Sequence, residues 1–214
     1  MSSLVDFGRI WEEGFKGGRK LFGLKEEKPQ EPLKRKVFKA KYQLRKQIDK
    51  ISFMINKLKE RDEQLFTKLV DAIMNHDQLR AKVFASEIAE VRKLARSLYF
   101  TQVALEKLEN RLDLFITLGD SASTIAPIVP ILDMLKREVM RQVPEIGIEI
   151  SKIYDDLENV VTETGLYDEL TGDTILTSEA RKILEEAKAI AEQNMKEEFP
   201  SINIQQEIGK SKLG

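Results

Sequence analysis

The sequence predicts an all-α protein, in which one long antiparallel helical hairpin is followed by shorter, hinged helices. Residues 33–74 and 78–118 contain neither glycine nor proline, and each stretch carries apolar residues at alternating spacings of three and four. The short polar segment Asn75-His76-Asp77 separates them and is rich in turn-forming and capping residues. No segment of the chain has a convincing strand pattern.

The composition excludes several classes of chemistry. The chain has 214 residues, no cysteine and one histidine, His76. Disulfide frameworks, thiolate metal sites and cysteine nucleophiles are therefore excluded, and His76 is expected to belong to the turn. No glycine-rich phosphate loop is present. We predict that the protein is not an enzyme and that it needs no cofactor or metal.

The sequence also bears on location. No run approaches the roughly 18 uninterrupted apolar residues that a membrane span needs. The N-terminal region lacks the continuous apolar core and cleavage site of a signal peptide. These features, with the absence of cysteine, predict a cytoplasmic protein.

Charge is distributed unevenly along the chain, although 35 Lys and Arg nearly balance 36 Asp and Glu. Residues 1–118 hold 25 basic and 17 acidic residues, a net charge of +8, whereas residues 119–214 hold 10 and 19, a net charge of −9. The strongest concentration, which we call the basic run, spans 33–48 without a single acid. Its cations are Lys34, Arg35, Lys36, Lys39, Lys41, Arg45 and Lys46.

The basic run has two interpretations. It is either a solvated helix face or a binding surface for a polyanion. Because solvated helices gain from alternating charges, seven like charges favour the second interpretation. The partner would be an anionic membrane surface, a nucleic acid or the acidic half of the same protein.

Residues 1–24 are predicted to form an amphipathic helix with large apolar side chains on one face. These residues are Leu4, Phe7, Trp11, Phe15 and Phe22. Such a face suits the headgroup boundary of a membrane, and the alternatives are a cap on an apolar groove or a contact in a polymer. Residues 25–32 form a polar linker with two prolines, which should stop this helix.

The hairpin, residues 33–118, has a heptad-like apolar seam in each arm. The seam of the first arm is broken only at Asp62, and Gly119 follows the second arm where a C-cap belongs. Two arms with matching seams and a short turn predict antiparallel packing.

The acidic half is predicted to contain a hinge and shorter helices. Residues 119–172 should start a helix at Pro127 or Pro130, with interruptions at Pro144 and Gly147 and a polar turn at 164–172. Residues 173–198 hold a final regulatory helix, whose cap is expected at Ser178. Its expected apolar side consists of Ala180, Ile183, Leu184, Ala187, Ile190, Ala191 and Met195. Residues 199–214 are expected to be a flexible tail.

The stretch Arg80–Arg96, RAKVFASEIAEVRKLAR, resembles the ESCRT-III family. The basic first arm, the Asn-His-Asp break and the continuation 105–115 strengthen the resemblance, which is closest to the short archaeal cell-division paralogues of the CdvB group. The long paralogue carries a winged-helix-like segment, for which we expect no counterpart in this chain. The resemblance covers about residues 33–200.

The resemblance implies a function. Members polymerise into membrane-associated filaments that remodel and sever membranes, here during archaeal cell division. Implied partners are further copies, paralogous ESCRT-III subunits, an anionic membrane and an AAA ATPase with a microtubule-interacting-and-trafficking domain. The implied location is the inner face of the cell membrane at the division site.

The ATPase-binding motif of the family has only weak counterparts in this sequence. The candidate residues are Ile183, Leu184, Ala187, Ile190, Pro200 and Ile202. The terminal helix lacks the family's Arg-Leu pair, and the tail has one proline instead of a proline-rich stretch. Direct recruitment of the ATPase therefore depends on residues that match poorly.

Two other functions stay open at this stage. The basic hairpin would also suit a coiled-coil protein that binds nucleic acid, which the aromatic N-terminal face disfavours, or an adaptor that does not polymerise. For the filament function we expect a closed form, in which the acidic helices after Gly119 screen the basic hairpin. Salt or removal of residues 170–214 should then promote assembly.

Overall fold

A computed structural model describes residues 32–118, 125, 127–163 and 173–199 of the chain. These ranges contain five helices and no strand, which confirms the predicted all-α class. The helices are α1 (Leu33–Met74), α2 (Gln78–Leu118), α3 (Ile128–Met140), α4 (Pro144–Glu163) and α5 (Asp173–Glu198). The bounds of α1 and α2 agree with the predicted arms of the hairpin, which confirms the two uninterrupted helical stretches.

The chain divides into two compact units, each of which takes part of the hairpin. The first unit comprises Met1–Gln47 and Glu106–Lys182, and the second comprises Ile48–Leu105 and Ile183–Gly214. Buried apolar side chains of the first unit include Leu33, Val37, Ala40, Leu44, Leu108, Leu112, Phe115, Ile131, Leu135, Ile150 and Leu157. Those of the second include Ile48, Ile51, Ile55, Leu65, Leu69, Ile88, Leu98, Leu105, Ala187, Ala191 and Met195.

The turn of the hairpin is built from helix-capping interactions. The N–H of His76 donates to the carbonyl of Ile73, and that of Asp77 donates to the carbonyl of Ala72, which is the Schellman pattern at a helix end. His76 takes the left-handed conformation that this pattern requires, with φ of 55°. Asp77 then caps α2, because its Oδ1 accepts the N–H of Arg80 at 3.0 Å. His76 is thus a turn residue, as predicted.

Helices α3 and α4 pack against each other across a tight corner. Pro144 is the first residue of α4, where its missing N–H costs nothing. Gly147 lies inside α4, and a Cβ there would come within 2.7 Å of the Cα of Met140. The interruption expected at Gly147 is therefore wrong, because this glycine permits the close approach of α4 to the end of α3.

Of the other two helix starts, that of α3 agrees with the expected start at Pro127, and that of α5 does not. Helix α3 begins at Ile128, directly after Pro127, so Pro130 lies in its first turn. The expected cap at Ser178 is wrong, since α5 begins at Asp173 and contains Ser178. The five residues before Ser178 include neither glycine nor proline, and an acid at the N-terminus of a helix is favoured by the helix dipole.

Candidate functional site

The basic run occupies the first four turns of α1, and all seven of its cations belong to the first unit. One side of this segment is committed to the core, since Leu33, Val37, Ala40 and Leu44 are no more than 1% exposed. The seven cations are consequently distributed over the remaining sides of the helix. These sides differ in what they contact.

One flank of the basic run contacts the acidic helix α4. The Nζ atom of Lys36 lies 2.6 Å from Oε2 and 2.7 Å from Oε1 of Glu163. Lys39 Nζ lies 3.2 Å from Oδ2 of Asp156. The contact expected between the acidic half and the basic run is thus present, and α4 supplies it.

The opposite flank contacts α2. Lys41 pairs with Asp113, and Nη1 of Arg45 lies 3.3 Å from Oε2 of Glu109. These two carboxylates belong to the hairpin itself, and sequence reasoning missed them because it assigned the screening to acids after Gly119. The spacing of the two pairs is that of an antiparallel hairpin, in which a step of four residues forward along α1 matches a step of four back along α2, but it identifies the partners only once the register of the two helices is known.

Between the two flanks lies an outer stripe, which consists of Arg35, Phe38, Tyr42 and Lys46. At 3.6 residues per turn these four positions fall within an arc of about 80°. All four residues are exposed, and the large apolar side chains stand out: Phe38 is 47% and Tyr42 72% accessible to solvent. Sequence reasoning missed both aromatics, although the buried seam predicts that they face away from it.

The remaining cation of the basic run, Lys34, lies beside the outer stripe. It lines an open groove together with Pro32, Arg35 and Phe38. Basic and apolar side chains therefore face the same groove at the start of α1.

The predicted ATPase-binding residues lie partly in the core. Ile183 is 7% and Ala187 0% exposed, whereas Leu184 is half-buried and Ile190 is 40% exposed. The sequence placed Ile190 on the apolar side of α5, and this prediction is wrong. Ile190 is exposed because it falls at the edge of the buried stripe defined by Ala187, Ala191 and Met195. Pro200 and Ile202 lie outside the described residues.

The predicted membrane-binding residues Leu4, Phe7, Trp11, Phe15 and Phe22 also lie outside the described residues. So do the polar turn 164–172 and most of the linker 25–32. In the part of the chain that the structure describes, no helix is both long and apolar enough to cross a bilayer. The described side chains also contain no cluster of three or more His, Asp or Glu that could hold a metal ion.

The end of α5 is held on the hairpin within the second unit. The phenol of Tyr99 hydrogen-bonds to the carboxylate of Glu198, which also pairs with Lys59 Nζ at 3.0 Å. Phe199 is 5% exposed and packs edge-on against the Tyr99 ring, with 6.4 Å between the ring centroids. Burial, and then the Glu198 charge and hydrogen bond, raise the pKa of Tyr99 well above its usual range.

Comparison with known proteins identifies the family. The chain is 37% identical over 198 residues to Cell division protein B1 of Sulfolobus acidocaldarius, an alignment that covers 92% of this chain and 89% of that protein. The chain belongs to the CdvB group of the ESCRT-III family. Cell division protein B of the same organism is 30% identical, over 79% of this chain and 66% of that protein. Cell division protein B3 is 29% identical, over 70% and 87%.

No family model matches the chain. No solved structure matches it either. The resemblance to ESCRT-III proteins noted in 80–96 and 105–115 falls within α2 of the hairpin. For this ESCRT-III protein, the functional candidate is therefore the basic run with its two flanks and its outer stripe.

Proposed function

We propose that this chain is an ESCRT-III subunit that polymerises into membrane-associated filaments, which remodel and sever the membrane during archaeal cell division. The observation that carries the proposal is the 37% identity to Cell division protein B1 across nearly the full length of both chains. The hairpin and the basic run supply the physical means, namely two long helices and a cationic face.

The basic run supports contact with an anionic membrane. A lysine or arginine near an anionic bilayer contributes about 1 kcal/mol. Lys34, Arg35 and Lys46 provide such charge in the closed protein, whereas Lys36, Lys39, Lys41 and Arg45 would first exchange their carboxylate partners for lipid phosphates. The proposed location is accordingly peripheral, on the inner face of the cell membrane at the division site. The N-terminal segment 1–24, with Trp11 and its neighbouring phenylalanines, would add apolar insertion.

Helix α4 is proposed to control assembly. The pairs Lys36–Glu163 and Lys39–Asp156 hold an acidic helix against the basic run. Ion pairs that are partly exposed to water contribute up to about 1 kcal/mol each, so salt or a neighbouring subunit can replace them. Release of α4 would free Lys36 and Lys39 for a second copy or a paralogue.

The proposed partners are further copies, paralogous CdvB subunits and an AAA ATPase with a microtubule-interacting-and-trafficking domain. The ATPase could bind the half-exposed edge of α5 at Leu184 and Ile190 directly, whereas Ile183 and Ala187 would first have to leave the core. Pro200 and Ile202 in the tail provide a second candidate segment.

Charge reversal of α4 tests the control of assembly. The double variant Asp156→Lys and Glu163→Lys should form sedimentable polymer at a low salt concentration at which the wild type stays monomeric. Adding Lys36→Glu and Lys39→Asp restores both pairs with exchanged signs, and this matched control should return to the monomer. If the charge-reversed protein stays monomeric under all salt conditions, the proposed control by α4 is wrong.

A sedimentation experiment tests the membrane contact. Full-length protein should pellet with vesicles of phosphatidylcholine and phosphatidylglycerol, and not with phosphatidylcholine alone. Preferential binding to duplex DNA over these vesicles, with the steep salt dependence of phosphate contacts, would instead support a nucleic-acid-binding protein. Absence of vesicle binding would overturn the membrane part of the proposal.

A further inference from the structure

The outer stripe of α1 remains exposed while α4 is docked. Lys36 and Lys39, which contact α4, lie on one side of the stripe, and Lys41 and Arg45, which contact α2, lie on the other. Carboxylates therefore occupy both flanks of the helix surface, and the stripe lies between them. In the stripe, Phe38 and Tyr42 expose 47% and 72% of their surface.

The composition of the stripe matches one kind of partner. Its two aromatic residues lie between two cations, and the spacings along the stripe are three, four and four residues. Aromatic side chains flanked by cations suit the interface of an anionic bilayer, where rings enter the boundary region and cations contact phosphates. The stripe itself carries no acid. The first acid further along the same face of α1 is Asp49, three residues after Lys46.

The groove beside the stripe strengthens the assignment. Lys34 and Arg35 line it together with Pro32 and the ring of Phe38. A lipid headgroup offers a phosphate to the cations and glycerol and acyl carbons to the apolar wall. Charge complementarity therefore favours a lipid over an uncharged apolar partner.

We infer that Arg35, Phe38, Tyr42 and Lys46 form a lipid-contact site that works in the closed protein, with Phe38 and Tyr42 inserted into the interface of an anionic bilayer. The inference rests on the membrane contact of the proposed function and adds an order of events. The closed subunit first meets the membrane through the stripe, and release of α4 follows for assembly.

A tryptophan at position 42 reports the insertion directly. Trp11 is the only tryptophan of the chain, so Trp11→Phe combined with Tyr42→Trp leaves a single probe. On vesicles of phosphatidylcholine with phosphatidylglycerol, its emission should shift to the blue, and brominated lipid should quench it. If the protein pellets with the vesicles but the probe stays unquenched, the stripe is not the contact. No pelleting of the wild-type protein, which keeps Trp11, would contradict the proposed function as well.

Cross-linking tests whether the closed protein binds. The chain has no cysteine, so Lys39→Cys with Asp156→Cys can be joined specifically by a short bismaleimide, which ties α4 to α1. The cross-linked protein should give the same quenching at position 42 as the reduced, unlinked one. Loss of quenching on cross-linking would overturn the order of events. A blue shift with rising protein concentration and no vesicles would assign the stripe to a second copy instead.

Substitution supplies a matched comparison. Phe38→Ala with Tyr42→Ala should weaken vesicle binding roughly tenfold, since interfacial binding scales with the apolar area that is buried. Ile148→Ala is the control, because Ile148 is 48% exposed and lies on α4 near Glu145 and Glu149. Equal affinity of the double variant and the control variant would contradict the inference.

Discussion

Arg92 and Asp62 form a bidentate ion pair between the two arms of the hairpin. Nε and Nη2 of Arg92 donate to Oδ1 and Oδ2 of Asp62, each at 2.8 Å. Asp62 is 6% exposed and occupies the single break in the apolar seam of α1. A buried carboxylate is tolerated at this position because the guanidinium fork satisfies both of its oxygens.

Removing either partner should destabilise the protein strongly. Arg92→Ala leaves the carboxylate of Asp62 buried without its guanidinium partner, which costs about 3–5 kcal/mol, and Asp62→Ala removes two charged hydrogen bonds from the partly buried Arg92. The neighbouring pair Arg61–Glu87 is 48% and 43% exposed, so Arg61→Ala should cost less than about 1 kcal/mol. Urea unfolding followed by circular dichroism measures both losses, and equal losses for Asp62→Ala and Arg61→Ala would show that the buried pair has no special role.

The contribution of the Asp77 cap to the stability of the protein should be measurable by itself. Asp77→Ala removes the acceptor for the Arg80 N–H and should cost about 1 kcal/mol, whereas Asp77→Asn, an equally good cap, should cost little. His76→Gly should be tolerated, because glycine adopts the left-handed conformation without steric cost. Thermal unfolding of the three variants tests the turn, and a stable Asp77→Ala protein would contradict the assigned cap.

Gly147→Ala should destabilise the protein, although the same change inside an ordinary helix stabilises it by about 1 kcal/mol. The added Cβ would lie 2.7 Å from the Cα of Met140, so the backbone of the α3–α4 corner would have to move. Such overpacking costs about 1–3 kcal/mol. Urea unfolding gives the sign of the change in the free energy of unfolding. A stabilised Gly147→Ala variant would contradict the close approach of Gly147 to Met140.

Tyr99 should make stability depend on pH in the alkaline range. The pKa of Tyr99 is raised by burial and by Glu198. The neutral phenol therefore contributes fully to the free energy of unfolding below about pH 10, and this contribution is lost as the pH rises through the raised pKa. At about pH 8, Tyr99→Phe should be less stable by roughly 1.5–3 kcal/mol, because the hydrogen bond to a carboxylate is lost. Urea unfolding of both proteins should show this difference shrinking above about pH 10. A constant difference would contradict the assigned environment.

Local signals predicted the helices and the turn, whereas longer-range contacts escaped sequence reasoning. The bounds of α1 and α2 followed from the absence of glycine and proline and from the caps at Asn75-His76-Asp77. The start of α5 was misplaced because Ser178 is a good cap that a longer helix overrides. The partners of Lys41 and Arg45 depend on the register between two helices, which one helix alone does not fix.

For the basic run, too, the sequence predicted the local property and not the contacts with distant helices. Its composition indicated an anionic partner, and contact with the acidic half was expected. The sequence did not separate the ion-paired flanks from the exposed stripe, since that separation depends on where α2 and α4 pack around α1. Phe38 and Tyr42 consequently became candidates only once their exposure was known.

Negative-stain electron microscopy of the full-length protein, with and without vesicles containing phosphatidylglycerol, tests the central claim most directly. We expect regular filaments on the vesicle surface, with deformed or tubulated vesicles beneath them. We also expect the Asp156→Lys and Glu163→Lys protein to form such filaments without vesicles. Undeformed vesicles and only monomers or closed dimers, for both proteins and at both low and high salt, would contradict a filament-forming subunit.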